Sequence, residues 1–126
     1  LCVGYRLFSP DGIVCFFPDT EPRPGGEDLE MIEFIREADI LILDSQYDAA
    51  GYDAHIGWGH GCVDDSVALA IKARVKKLCL FHHDPDRNDQ QVDALLHYAR
   101  KLAAKHKSKL KIEAAREGVV LQIGKK

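Results

Sequence analysis

The chain has 126 residues, 46% hydrophobic and 29% charged, with a formal charge of −3. That length suits one ordinary domain able to bury a sizeable core. The charge gives no electrostatic reason for nonspecific binding to nucleic acid or an anionic membrane, and no apolar run approaches the ~20 residues that span a bilayer.

Residues 3–8 (VGYRLF) and 13–17 (IVCFF) flank Ser9-Pro10-Asp11-Gly12, a tight-turn signal, and read as an antiparallel hairpin. The stretch 18–26 (PDTEPRPGG) carries three prolines and two glycines, so a loop without regular structure is expected there. A helix is predicted over 27–38 from the stripe Leu29, Ile32, Ile35, with acidic residues favouring its N-terminal dipole. Ile40–Leu43 is a continuous apolar run, the mark of a strand covered on both faces.

Residues 45–60 form a long glycine-containing loop, and Tyr47, Tyr52, His55 and Trp58 argue that it is structured and partly buried. A helix over 63–74 follows, then a second buried strand at Leu78–Phe81, parallel to the first because a helix connects them. Asn88 or Asp89 caps a long helix running to about His106, its apolar stripe passing through Val92, Leu95, Leu96, Ala99, Leu102 and Ala103. Lys111–Ala115 and Val119–Ile123, around Glu117-Gly118, predict a closing hairpin. The order β-β-α-β-α-β-α-β-β makes one α/β unit. Three helices cannot cover every strand, and the chain opens without Met in a strand-like segment. A fragment, a processed chain or part of something longer is expected.

Cys2, Cys15, Cys62 and Cys79 include no CxxC pair, which argues against a zinc ribbon. Cys15 and Cys79 fall inside strand-like runs, so reduced, buried thiols of a cytoplasmic protein are expected.

Three predicted strands end in residues that can bind metal or carry protons: Asp19, Asp44, and the pair His82-His83. Ligands of open α/β sheets gather beyond the carboxyl ends of strands. Asp19, at a strand end, suits a divalent metal and equally suits a local Asx-type turn. His82 and His83 are adjacent in an extended segment, so only one faces a given site. A metal-binding imidazole needs an acceptor on its second nitrogen, for which Asp84 and Asp86 are candidates. His60, between two glycines at a helix mouth, pairs with Asp44 as an acid–base couple or merely shapes the turn. His55, His97 and His106 read as structural, and the basic run 105–111 reads as a solvated helix end.

PDTEP after a strand, ADILILDSQY, GWGHG before a helix and KKLCLFHHDPD before a long helix occur in that order. Together they resemble the C-terminal half of the metallo-β-lactamase superfamily, nearest its phosphodiesterase and transfer-RNA 3′-processing nuclease branch. The resemblance implies half of an αββα sandwich carrying a two-metal site, usually zinc, with manganese or iron as alternatives. Asp19 then matches the metal-bridging aspartate and His82 the final histidine ligand, with His83 in reserve. Asp44 matches the acidic residue of the nuclease branch's His-Glu-Ala-Thr segment, and His60 the histidine of its His-Ser-Thr segment. The chain departs from that branch at Leu43, where the branch has histidine, and at Gly61, where it has serine. The HxHxDH motif of the family's N-terminal half is absent from these residues.

The expected function is therefore that of a metal-dependent hydrolase acting on a phosphodiester, this chain being the C-terminal half and inactive alone. Asp19 and His82 would be metal ligands, with His60 and Asp44 catalytic. Alternatives are the same fold hydrolysing a lactone, thioester or β-lactam, and a non-catalytic binding or scaffold module. The expected partners are the N-terminal half of the same domain and the substrate. An uncovered half-sandwich also invites a second copy.

Overall fold

A computed structural model describes residues 3–124. Strands β1 (Tyr5–Ser9) and β2 (Gly12–Phe17) pair antiparallel, with Ser9 opposite Gly12. The Ser9 hydroxyl closes the turn, accepting from the Asp11 and Gly12 N–H groups at 3.2 Å each. The loop after β2 contains one element the prolines and glycines concealed, a 3-10 turn at Pro24–Gly26.

Helix α1 (Leu29–Ile35) starts where Asp28 accepts from the Met31 N–H at 3.1 Å, and it buries Met31, Ile32 and Ile35. Strand β3 (Ile40–Asp44) follows, then a short helix α2 (Ala49–Asp53) inside the predicted loop, capped by Asp48. Helix α3 (Val63–Lys72), strand β4 (Lys77–Phe81), helix α4 (Asp89–Lys105) and strand β5 (Lys111–Ala114) complete the chain. Asn88 and Gln91 form a reciprocal capping box at the start of α4.

The five strands lie in one sheet in sequence order, with β2 through β5 mutually parallel. Alternation along the strands divides their side chains between two faces. Cys15, Leu41, Leu43, Leu78, Leu80 and Ile112 face the helices and form one core with Ile35, Val67, Ala70, Leu95 and Ala99. Each fully buried Leu among them contributes roughly 1.5–3 kcal/mol.

The other face is open. Val14, Phe16, Ile40, Ile42, Cys79 and Phe81 line a cavity of about 740 Å³ on it. The second strand of the closing hairpin does not form. The turn at Glu117-Gly118 is made, with Gly118 at φ 81°, but residues 119–123 are irregular. Val119 and Leu121 instead line the rim of the open-face cavity, Val119 remaining 49% exposed. Among the described residues, no helix is long and apolar enough to cross a membrane. Cys2 lies outside the described residues; Cys15, Cys62 and Cys79 are free and buried.

Candidate metal centre

The site sits at the carboxyl ends of β2, β3 and β4, where parallel register brings the strand ends together. Asp44 pairs with Phe81 across β3 and β4, and Phe17 pairs with Leu43 across β2 and β3. Two residues beyond β2 comes Asp19, at φ 48°, and just beyond β4 comes His82, at φ 61°. Both occupy the left-handed region, where a side chain costs about 1–2 kcal/mol. The local turn bond belongs to Thr20, whose hydroxyl donates to the Pro18 carbonyl at 2.9 Å. Among the described residues no hydrogen bond engages the Asp19 carboxylate, so an Asx turn does not explain it.

Each of Asp19, Asp44, His60 and His82 offers one ligand atom within 4.8 Å of all the others. His82 Nε2 lies 3.4 Å from Asp19 Oδ1. Two ligands sharing one tetrahedral zinc at bonds near 2.1 Å stand roughly 3.4 Å apart, so this pair fits an ion. The second nitrogen of His82, Nδ1, is buried and without a hydrogen-bond partner. Neither Asp84 nor Asp86 supplies its acceptor, because Asp84 Oδ1 turns to the Asp86 N–H at 3.0 Å. The carboxylate nearest that nitrogen is Asp44, whose Oδ2 is 3.7 Å away.

Asp44 is fully buried. Its Oδ1 accepts from the backbone N–H groups of Gly61 at 2.9 Å and Gln46 at 3.3 Å. Its Oδ2 meets His60 Nδ1 at 2.9 Å, a hydrogen bond rather than a shared-metal spacing. With Nδ1 committed as donor, His60 keeps Nε2 as the nitrogen free to exchange a proton. The His60 and His82 rings stack 4.5 Å apart at 10°. His83 turns away, its Nε2 3.0 Å from the Ala115 carbonyl, and lines the open-face cavity.

The loop carrying His60 is tied at its base by a bridge between Tyr47 and Cys62. The Ser66 hydroxyl adds contacts to the Asp44 carbonyl at 3.2 Å and the Cys62 carbonyl at 3.0 Å. Gly61 is required here: a Cβ at that position would overlap the Asp44 carbonyl oxygen. The serine of the resembled nuclease branch has no room on this backbone. Cys62 is no nucleophile, since burial pushes its thiol up to about 11.

Glu21 is the residue that sequence reasoning missed. Its carboxylate accepts from the Gly57 N–H at 2.9 Å, the Gly59 N–H at 2.9 Å and the Tyr52 hydroxyl at 2.7 Å. Burial pushes Glu21 up, but those bonds and the nearby His60 outweigh it and leave its carboxyl below the ordinary 4.5. Glu21 thereby fastens the Asp19 loop to the His60 loop. No periodicity or spacing signals it, because its partners lie 31–38 positions away.

Trp58 also departs from expectation, being 67% exposed. A row of rings connects it to the site. Trp58 meets His55 edge-on at 4.6 Å, His55 stacks on Tyr47 at 4.6 Å, and Tyr47 reaches His60 at 6.4 Å.

No protein-family model matches the chain. It is 34% identical over 94 residues to Ribonuclease Z of Picrophilus torridus, covering 75% of this chain and 28% of that protein. Ribonuclease Z of Thermoplasma acidophilum is 35% identical over 88 residues, covering 70% of this chain and 26% of that protein. Ribonuclease Z of Brevibacillus brevis is 30% identical over 87 residues, or 68% of this chain and 25% of that protein. The chain thus spans about a quarter of the length of these curated relatives.

Among solved structures, the metallo-beta-lactamase fold protein YhfI of Bacillus subtilis superposes with a TM-score of 0.68 at 21% identity, covering 90% of this chain and 41% of that one. The short form of human tRNase Z superposes with a TM-score of 0.65 at 20% identity, covering 95% of this chain and 38% of that one. At these identities the two matches speak to architecture, and the architecture they share with this chain is the metallo-β-lactamase fold.

Proposed function

We propose, for a chain that its relatives and its fold place in the metallo-β-lactamase superfamily on the transfer-RNA 3′-processing side, the role of C-terminal half in a metal-dependent phosphodiester hydrolase. The observation that carries this reading is the division of the four clustered side chains into two pairs. Asp19 and His82 stand at metal-sharing distance, while Asp44 and His60 are hydrogen-bonded beside them.

Asp19 Oδ1 and His82 Nε2 would hold the ion. A divalent metal supplies Lewis-acid polarisation of the phosphoryl group and lowers the pKa of water from about 15.7 to about 7. Asp44 fixes the His60 ring through Nδ1, and the two backbone N–H groups on Oδ1 fix Asp44. As water attacks phosphorus and the ester P–O bond breaks, protonated His60 passes its Nε2 proton to the leaving oxygen. A positioned acid of this kind contributes typically 10²–10⁴-fold.

Two protein ligands fall short of the roughly three that a catalytic zinc takes. The N-terminal half is proposed to supply the others, and the metals are proposed to be two zinc ions. The same shortfall favours a second reading, in which these residues serve a metal-free binding module.

Metal analysis of the full-length parent protein separates the two. Asp19→Ala or His82→Ala should lower metal content and cut hydrolysis of a bis-nitrophenyl phosphodiester by at least 10²-fold, with a lactone turned over poorly throughout. Unchanged metal content in both variants would remove the ligand assignment.

A further inference from the structure

His60 is held along the main chain from both sides. Ahead of it, the Gly59 N–H donates to Glu21 Oε1 at 2.9 Å; behind it, the Gly61 N–H donates to Asp44 Oδ1, also at 2.9 Å. The Gly57 N–H reinforces the first anchor, reaching both Glu21 oxygens at 3.0 and 2.9 Å. The buried Tyr52 aims the Glu21 carboxylate in turn, its hydroxyl donating to Oε2 at 2.7 Å. Gly57 and Gly59 are left-handed, at φ 89° and 90°, and a Cβ at either would meet nothing within 4 Å. Packing does not wedge the turn at these points, so its hold is the carboxylate. Hydrogen bonds to an ionised acceptor are roughly twice as strong as neutral ones.

We propose that Glu21 is a positioning residue for proton delivery, this clamp holding the His60 main chain through the Gly57 and Gly59 amides so that Nε2 meets the leaving oxygen. The inference rests on the reading of His60 as the acid and adds a residue that acts on the reaction only through another. Asp44 fixes the imidazole at one atom, Nδ1, and fixes the peptide that follows it. With the preceding peptide released, the ring would pivot about those two bonds and carry Nε2 off line. A misplacement of about 1 Å costs on the order of 10²-fold in rate. The clamp also sets the acid against the ion. Glu21 lies two residues beyond Asp19, and His60 Nδ1 stands 4.0 Å from Asp19 Oδ1.

Two phosphodiesters isolate the proton in the full-length parent protein. A dinucleoside monophosphate departs as an alkoxide that needs a proton, whereas a bis-nitrophenyl phosphodiester departs as a phenolate that does not. His60→Ala should cut kcat on the first at least tenfold more than on the second. Glu21→Ala should reproduce that selectivity with metal content unchanged. Glu21→Gln should keep the wild-type ratio between the esters, because its amide oxygen can accept from both glycine N–H groups. In a His60→Ala background, Glu21→Ala should cost nothing further on either ester. A readout without turnover is the His60 Nδ1 proton shared with Asp44: its downfield NMR signal should broaden in Glu21→Ala and persist in Glu21→Gln. Equal losses on the two esters, loss of metal, a further loss in His60→Ala, an unaltered Nδ1 signal, or Glu21→Gln behaving as Glu21→Ala would each overturn the proposal. An unselective His60→Ala would reject the acid reading and the positioning role with it. A selective His60→Ala beside an unselective Glu21→Ala would reject the positioning role alone.

Discussion

Gly61 shows how one missing side chain organises the centre. Its N–H reaches the buried Asp44 carboxylate at 2.9 Å only because the backbone can press against the Asp44 carbonyl. The obstacle to a Cβ is main chain at the end of a paired strand, which cannot rotate aside. Gly61→Ala should therefore destabilise the fold by about 1–3 kcal/mol, readable as a lowered urea midpoint at unchanged m. A midpoint equal to wild type would mean that Gly61 is not pressed against β3. The clustering of Asp19, Asp44, His60 and His82 was legible beforehand, because three of them follow apolar runs whose ends the sequence marks and His60 stands between two glycines at a helix mouth. The Gly61 contact was not, since close approach between two backbones leaves no compositional trace.

At the scale of elements, the Glu21 clamp sets how the Asp19 and His60 loops move together. The folded-state carboxyl lies below its ordinary 4.5, so its contribution to stability is present above that value and is lost as pH falls through the folded-state pKa. Acid unfolding of wild type and Glu21→Gln should show a stability gap at pH 6 that narrows as pH drops below about 4.5. A gap independent of pH would assign Glu21 a role of shape rather than charge.

Strands β2, β3 and β4 and helix α4 were predictable because long apolar runs, a helical stripe and a capping asparagine agree with one another. Helix α2 and the 3-10 turn were hidden by glycines and prolines. The predicted strand at 119–123 has the right alternation, but Val119 and Val120 stay 49% and 84% exposed, so no burial draws the segment into the sheet.

For the whole molecule, the decisive asymmetry is between the two faces of the sheet. One is sealed by α1, α3 and α4; the other exposes Phe16, Ile42 and Phe81 to a cavity and leaves Tyr5 and Leu7 of β1 52% and 59% exposed. Apolar surface of this extent calls for a partner. Under the half-sandwich proposal, coexpression with the proposed N-terminal half should suppress binding of a hydrophobic dye by this chain and raise its content of bound metal. Failure of the two halves to copurify, with dye binding unchanged, would count against the half-sandwich reading. An uncovered sheet face was readable in advance from three helices set against many strands, whereas which face stayed bare depended on the register.

Asp19 and His82 share an uncommon backbone twist, and that twist has a practical consequence for anyone re-engineering this protein. Both positions hold a conformation that glycine adopts without strain. Swapping either for glycine would relax the main chain while removing the side chain proposed to bind an ion, yielding a sturdier shell with one candidate donor fewer.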